Sequence, residues 1–365
     1  MKQNARLSKI VSPLLQWYDS HARILPWREN PEPYAIWISE IMLQQTRVEA
    51  VKPYFDRWMK AFPDLSSLAS ASEAEVLKLW EGLGYYSRVR NIHKTAKLVT
   101  EEHGGVLPSS FAELLRLPGI GEYTAGAVGS IAFQLPVPCV DGNVLRVVAR
   151  LTAEKTDVST ASGKKQFTGW IAEIIPKERP GDFNQAMMEL GATVCLPNGL
   201  PKCELCPISF LCEARLQNRV TEYPIKSGKR PRKVEQKTVL VLLDETRTAL
   251  RRRPESGLLA GLWEFPNVDG TLSEEEVHQL LLASGLVTAS LIKLRNAKHI
   301  FTHIEWEMTG YLAVVEQRSP DPGISAKEVP DIQWVGLDLL EEKLTLPAAF
   351  KTYYQIVKRY LHKES

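Results

Sequence analysis

The spacing of apolar residues changes once along this chain, near residue 215, and two different spacings call for two separate cores. Before that point Leu7, Ile10, Val11, Leu14, Leu15 and Tyr18 recur at steps of three and four, which lays them on one face of a helix. Similar segments continue to about residue 194, so the first part reads as all-helical. After it come short β-rich runs, "KTVLVLL" (237–243), "HIFTHIEWEM" (299–308) and "IQWVGL" (332–337), with helical patterns near 273–283 and 347–361, an α+β signature. Between the two lies "IKSGKRPRKV" (225–234), with five basic residues, no acid, a Gly and a Pro, which reads as an exposed linker. At 365 residues the chain is long enough for two domains. The expected boundaries are a helical domain over 1–215, a basic linker over 216–234 and an α+β domain over 235–365. No internal repeat or low-complexity tract interrupts them.

Hydrophobic content of 44% and charged content of 24% supply material for real cores, and a net charge of +2 names no partner. The amino-terminal apolar run is short and broken by Pro13 and Gln16, so neither a signal peptide nor a membrane span is expected. That points to a cytoplasmic protein, in whose reducing surroundings five cysteines are not expected to pair as disulfides. Cys195, Cys203, Cys206 and Cys212 form C-x7-C-x2-C-x5-C, close enough for four thiolates to surround one metal centre. Spacing alone leaves zinc and an iron–sulfur cluster both open. Cys139 stands apart and reads as an ordinary buried thiol.

Chemistry-bearing residues concentrate in the helical part. "FAELLRLPGIGEYTAGAVGSIAF" (111–133) reads as a short helix, a Leu117-Pro-Gly119-Ile-Gly121 turn and a second helix from about Glu122. Glycines there allow close approach and present free amides at a helix start, where a phosphate oxygen can sit, although a plain helix–helix connection would look the same. Asp141 follows where a proline-rich loop becomes an apolar helix, so an N-cap is its simplest role. In "WISEIMLQQTRV" (37–48) Glu40 shares a helical face with Ile36, Trp37 and Leu43. A carboxyl buried there should have a raised pKa, unless it serves a structural ion pair.

Taken in order, "RILPWR" (23–28), "WISEIMLQQTRV" (37–48), "GLGYYSRVRN" (82–91), "LPGIGEYTA" (117–125), "VDGNVLRV" (140–147) and the four cysteines resemble the adenine DNA glycosylase (MutY) family. That family lies within the helix-hairpin-helix DNA glycosylase superfamily, and the resemblance covers most of residues 5–215. It implies an all-α helix-hairpin-helix domain with a loop binding one 4Fe-4S cluster through Cys195, Cys203, Cys206 and Cys212. The first cysteine gap is one residue longer than the family's usual one, a difference that a turn at Asn198-Gly199 can absorb. Glu40 is implied as the proton donor, Asp141 as the stabiliser of the sugar cation, and Tyr123 and Asn143 as their hydrogen-bonding partners. Related enzymes of the endonuclease III type carry a lysine at the position of Tyr123, and a phenol cannot form their Schiff base. A monofunctional hydrolase is therefore implied.

The same resemblance assigns Arg23 and Trp27 to the adenine pocket and Leu117, Gly119 and Gly121 to the DNA-binding hairpin. Gln45, Thr46, Leu83 and Tyr85 would probe the opposite base. "RRRPESGLLAGLWEFPNV" (251–268) resembles a Nudix fold, but "GTLSEEEVHQLLLASGL" (270–286) lacks the Arg-Glu and Glu-Glu pairs of the hydrolase box. The implied domain is α+β and Nudix-like and reads 8-oxoguanine, with Phe301, Thr302 and His303 standing where the family commonly has Phe-Ser-His. The expected partner is duplex DNA containing adenine opposite 8-oxoguanine or guanine, bound by a monomer of bacterial, nucleoid-associated type away from membranes.

Overall fold

The computed structural model describes residues 6–228, 231–318 and 332–362, so Lys229 and Arg230 of the basic stretch lie outside the described residues. The chain divides into two compact units whose boundary is discontinuous in sequence: Met1–Ala71 with Arg90–Gly228, and Ser72–Val89 with Lys229–Ser365. Among the described residues no helix is long and apolar enough to cross a membrane.

The first unit is helical. In chain order come α1 (Val11–His21), α2 (Pro33–Leu43) and α3 (Val48–Ala61). They are followed by α4 (Glu73–Leu79), which belongs to the second unit, and α5 (Ser87–Glu102), whose first turn does too. Then come α6 (Phe111–Leu114), α7 (Glu122–Ile131), α8 (Gly142–Thr152), α9 (Ala161–Ile174) and α10 (Pro180–Thr193). Pro33 and Pro180 open α2 and α10 at the first helical position, where the missing N–H costs nothing and the fixed φ suits a helix. Leu14, Leu15 and Tyr18 of α1 meet Val144 and Val148 of α8, Phe167 and Ile171 of α9, and Phe183 and Leu190 of α10 in one core. Helix α2 is different, because every residue from Tyr34 to Met42 is buried. An all-round buried helix carries any polar group it holds into the interior, and that fate falls on Glu40.

The second unit is built on an eight-stranded mixed sheet. Its strands are β1 (Lys233–Leu243), β2 (Arg247–Arg252), β3 (Trp263–Glu264) and β4 (Asn267–Asp269), then β5 (Leu286–Lys293), β6 (Ala297–Ile300), β7 (Ile304–Arg318) and β8 (Gln333–Gly336). The central path runs β3-β2-β1-β7-β5, with β4 beside β1, β6 beside β7 and β8 beside β2. Strands β1 and β7 pair in parallel from Lys233↔Ile304 to Leu243↔Val314, and the remaining pairs are antiparallel. Period-two alternation sends Val239, Val241 and Leu243 to one face, against Phe350, Tyr353 and Val357 of α12 (Lys351–Leu361) and its lead-in turn. Leu240 and Leu242 go to the other face, against Val277 and Leu281 of α11 (Glu274–Ala283). The run read as continuous over 299–308 is two strands, because the Phe301 N–H closes a hairpin onto the Ile304 carbonyl at 2.8 Å.

The stretch read as an exposed linker is exposed but not loose up to Ser227. Arg150 Nε donates to the carbonyls of Val220 (2.9 Å) and Tyr223 (3.1 Å). The Val158 amide donates to Ile225 (3.1 Å) and the Ser227 amide to Asp157 Oδ2 (2.8 Å).

Candidate active site

Glu40 projects from the middle of α2 and is 6% exposed. The Tyr123 hydroxyl, on the first turn of α7, donates to Glu40 Oε2 at 2.6 Å and lies 3.5 Å from Met188 Sδ. Burial, opposed by the Tyr123 bond and reinforced by the negative charge of Asp141, pushes the Glu40 carboxyl up to about 7.

Asp141 is the N-cap of α8, so the simple expectation holds and does not exclude a second role. Its Oδ1 accepts from the Asn143 and Val144 amides at 2.8 Å each, and its Oδ2 accepts from Asn143 Nδ2 at 2.7 Å. Burial raises this carboxyl above the ordinary range while those three donors oppose the rise. Asn143 is itself held, because its Oδ1 accepts from Arg146 Nη2 at 2.8 Å. Arg146 also donates to the carbonyls of Gly191 (2.8 Å) and Cys195 (2.8 Å). Gly191 is needed for this approach: a Cβ there would sit 2.6 Å from the Cβ of Asn143. Neither Arg146 nor Gly191 was singled out in the sequence. The i,i+3 spacing of Asn143 and Arg146 was a usable signal, but the contact with Gly191 was not.

Tyr123 and Asp141 border a cavity of about 860 Å³, together with Gln45, Pro138, Lys164 and Lys226. That is room for a nucleobase and its sugar. Gln45 is exposed at the end of α2 with φ 60°, and Thr46 follows it, its Oγ1 3.4 Å from the Gln44 carbonyl. Glu40, Arg23 and Trp27 are not among the residues that line it, and Glu40 reaches it only through the Tyr123 hydroxyl. Arg23 donates to both carboxyl oxygens of Glu189 at 2.5 and 3.1 Å, joined by Arg28 at 2.9 Å. Burial would raise the Glu189 carboxyl, but Arg23 and Arg28 outweigh it and hold it below the usual range. Trp27 is 3% exposed and meets Phe55 edge-on at 5.4 Å. Glu189 escaped sequence reading because its partners lie some 160 residues away.

In the hairpin, Leu117 is buried and Gly119 has φ 76°, with the site of its absent Cβ only 2.6 Å from Asn91 Cβ. Gly121 caps α7 without a side chain, leaving the first amides of that helix free of any side-chain cap. The turn is fixed from behind by Thr95 Oγ1, which donates to the Pro118 carbonyl at 2.8 Å.

Cys195, Cys203, Cys206 and Cys212 line one small cavity with Arg150, while Cys139 is buried elsewhere. Arg150 Nη1 donates to Cys195 Sγ at 3.2 Å. Burial, opposed by a backbone hydrogen bond from Ile208 and reinforced by the neighbouring cysteines, pushes Cys206 up to about 12. Among the described residues no group of three or more His, Cys, Asp or Glu is placed to hold a metal ion. Four soft thiol donors suit zinc as well as an iron–sulfur cluster.

The second unit brings together two segments that are far apart in sequence. Leu83 is buried, whereas Tyr85 is 45% exposed in the left-handed region at φ 49°. The Tyr85 hydroxyl lies 2.9 Å from Thr302 Oγ1. Thr302 and His303 are exposed at the tip of the β6–β7 hairpin, and Phe301 is anchored edge-on to Trp306 at 4.9 Å. On the Nudix-like sheet Glu264 is taken up by Arg251 (2.8 Å) and Arg253 (2.5 Å), and Glu276 closes a capping box with Ser273.

Residues 38–173 match the HhH-GPD superfamily of base excision DNA repair proteins, and residues 238–355 match the NUDIX domain. A thermostable thymine-DNA glycosylase superposes with a TM-score of 0.54 at 28% identity, covering 60% of this chain and all of that one. Endonuclease III in a covalent DNA complex superposes with a TM-score of 0.51 at 23% identity, over 59% of this chain and 98% of that one, a likeness of fold. A helix-hairpin-helix glycosylase domain joined to a Nudix-like domain defines a base excision DNA glycosylase acting on DNA. The adenine DNA glycosylase of Rattus norvegicus is 38% identical over 88% of this chain and 73% of its own length. That of Homo sapiens is 38% identical over 87% and 69%. The chain belongs to the adenine DNA glycosylase family.

Proposed function

We propose that the enzyme hydrolyses the N-glycosidic bond of adenine paired with 8-oxoguanine or guanine in duplex DNA, using water as the final nucleophile. The observation that carries this is the Glu40–Tyr123–Asp141 group: a buried carboxyl raised to about 7 accepts from a tyrosine that lines the cavity together with a second carboxylate. A duplex hides its base edges, so adenine must be turned out into the cavity. Glu40 then delivers its proton to a ring nitrogen, and the bonding pair between base and C1′ leaves with the base. The oxocarbenium ion left on the sugar is stabilised by the negative charge of Asp141. Water adds to C1′ and its proton restores Glu40. No lysine stands at position 123 to form a Schiff base. The amides opening α7 are offered to a backbone phosphate.

Cys195, Cys203, Cys206 and Cys212 would hold a 4Fe-4S cluster, which supplies four cross-links that fix the loop between them. The loop's geometry reaches the active site through Arg146, whose guanidinium bonds both the Cys195 carbonyl and Asn143. In the second unit Tyr85, Thr302 and His303, with Leu83, read the base opposite adenine. Lesion sensing thus falls to the unit that lacks the catalytic carboxyls.

Single-turnover assays on an adenine–8-oxoguanine duplex test this reading. Wild type should release adenine, yield strand breaks only after alkali, and give almost no borohydride-trapped adduct. Glu40→Gln should excise at least about a thousandfold more slowly while binding the duplex nearly as well. Efficient trapping, or near-normal excision by Glu40→Gln, would overturn the mechanism.

A further inference from the structure

Within the second unit, the Ser72–Val89 segment is fastened to the Nudix-like fold by more than the Tyr85–Thr302 contact. Lys78, at the end of α4, donates to the main-chain carbonyls of Leu340 (3.2 Å) and Leu344 (2.8 Å). These carbonyls belong to the last turn of the short helix Leu337–Glu342 and the chain just beyond it, where unpaired carbonyls concentrate negative charge. The same ammonium lies 2.8 Å from Glu81 Oε2, and Glu81 Oε1 accepts the Leu346 amide at 2.7 Å. A cation and an anion three residues apart thus each grip main chain of the opposite polarity, more than 260 positions away. An ordinary i,i+3 surface pair has no such second set of partners.

The grip is connected to Tyr85 through Arg88. Four residues beyond Glu81, Tyr85 holds a left-handed conformation in a turn flanked by Gly82 and Gly84, both at positive φ. Arg88 Nη2 donates to the carbonyls of Leu83 (3.1 Å) and Gly84 (3.2 Å). Its guanidinium also lies over the rings of Trp80 (5.2 Å) and Tyr85 (5.4 Å). Arg88 thus ties the turn to Trp80, the residue before Glu81, and the turn's phenol ends against the hairpin that carries Thr302.

We infer that Lys78 and Glu81 are positioning residues for lesion discrimination: they set the register of Tyr85 against Thr302, so that the phenol and the hydroxyl meet the opposite base as one surface. The inference rests on the proposed reading in which these two groups face that base. Neither Lys78 nor Glu81 touches the catalytic carboxyls, so their loss should alter preference rather than chemistry.

The experiment uses full-length protein and single-turnover excision of adenine opposite 8-oxoguanine and opposite guanine. Lys78→Met, which keeps the aliphatic stem, should lower the ratio of the two rates roughly tenfold, while excision opposite guanine stays within about twofold. Lys78→Arg should restore most of the ratio, since a guanidinium can also reach two carbonyls. Combining Lys78→Met with Thr302→Ala should cost no more than the worse single change, because both act on one contact. Glu81→Gln, a milder change that keeps an acceptor for Leu346, should give part of the same loss and serves if Lys78→Met folds poorly. Full preference in both Lys78→Met and Glu81→Gln, or independent multiplication with Thr302→Ala, would overturn the inference. Failure of wild type to excise adenine at all would instead strike the function proposed above.

Discussion

In the proposed mechanism Glu40 is caught between two demands, since it must hold a proton near neutrality and sit where ionisation is costly. Its carboxyl titrates near 7, against an ordinary value of 4.5, so the folded state binds more protons than the unfolded chain between those limits. Its contribution to stability is therefore intact below about pH 4.5 and is lost as pH rises through 7. The accumulated loss at pH 8 is on the order of 3 kcal/mol. Two outcomes are expected. Single-turnover excision should fall about tenfold per pH unit above 7, as read from a pH–rate profile. Glu40→Gln, which cannot ionise, should be more stable than wild type at pH 8 and lose that advantage near pH 4, as read from denaturant melts. A flat profile for wild type would show that another group supplies the proton. Glu40 could be found in the sequence because a charge interrupted an apolar helical face. Arg23 gave no comparable sign: its motif suggested a pocket, whereas its position is decided by Glu189, to which no local pattern points.

At the scale of elements, the change of period near residue 215 was enough to separate helices from strands, because burial on one face imposes steps of three and four or of two. The hairpin between Phe301 and Ile304 escaped that test, since its two strands are apolar on both sides of the turn and no glycine marks it. Approaches between helices were also hidden, for they depend on which small residue meets which neighbour. Helix α10 lies against the start of α8 at Gly191, and a methyl group added there would fall 2.6 Å from Asn143 Cβ. Gly191→Ala should accordingly push Asn143 off Asp141. The expected cost is about 1–3 kcal/mol in a thermal or denaturant melt, together with a tenfold or greater loss in excision rate. A variant with a lowered melting point and an unchanged rate would separate this packing from the chemistry.

At the scale of the whole molecule, two compact units carry two different tasks in the proposed function. A chain ended at Gly228 keeps Glu40, Tyr123, Asp141 and Asn143 but loses the sheet against which Ser72–Val89 rests. It should still excise adenine, while its preference for 8-oxoguanine over guanine shrinks roughly ten- to a hundredfold, since one to three kcal/mol of hydrogen bonding is removed from one substrate only. Gel assays on the two duplexes with truncated and full-length enzyme measure this directly, and an undiminished preference would assign lesion sensing to Gln45 and Thr46. The sequence announced two domains but not that Ser72–Val89 belongs with the second, because membership of a unit is set by side chains such as Lys78 and Glu81 whose partners come last in the chain.

That discontinuity bears on how the protein is made. Ser72–Val89 leaves the ribosome long before Lys229 is added, on the order of ten seconds earlier at ordinary synthesis rates. The helices on either side can collapse in that interval, while Lys78 and Glu81 wait for carbonyls and amides that do not yet exist. The parallel β1–β7 pair brings a further delay, as Lys233 must wait for Ile304. The Tyr85 turn should therefore be among the last parts of the molecule to gain protection from hydrogen exchange during refolding, and a nascent chain stalled before the sheet should expose it to protease.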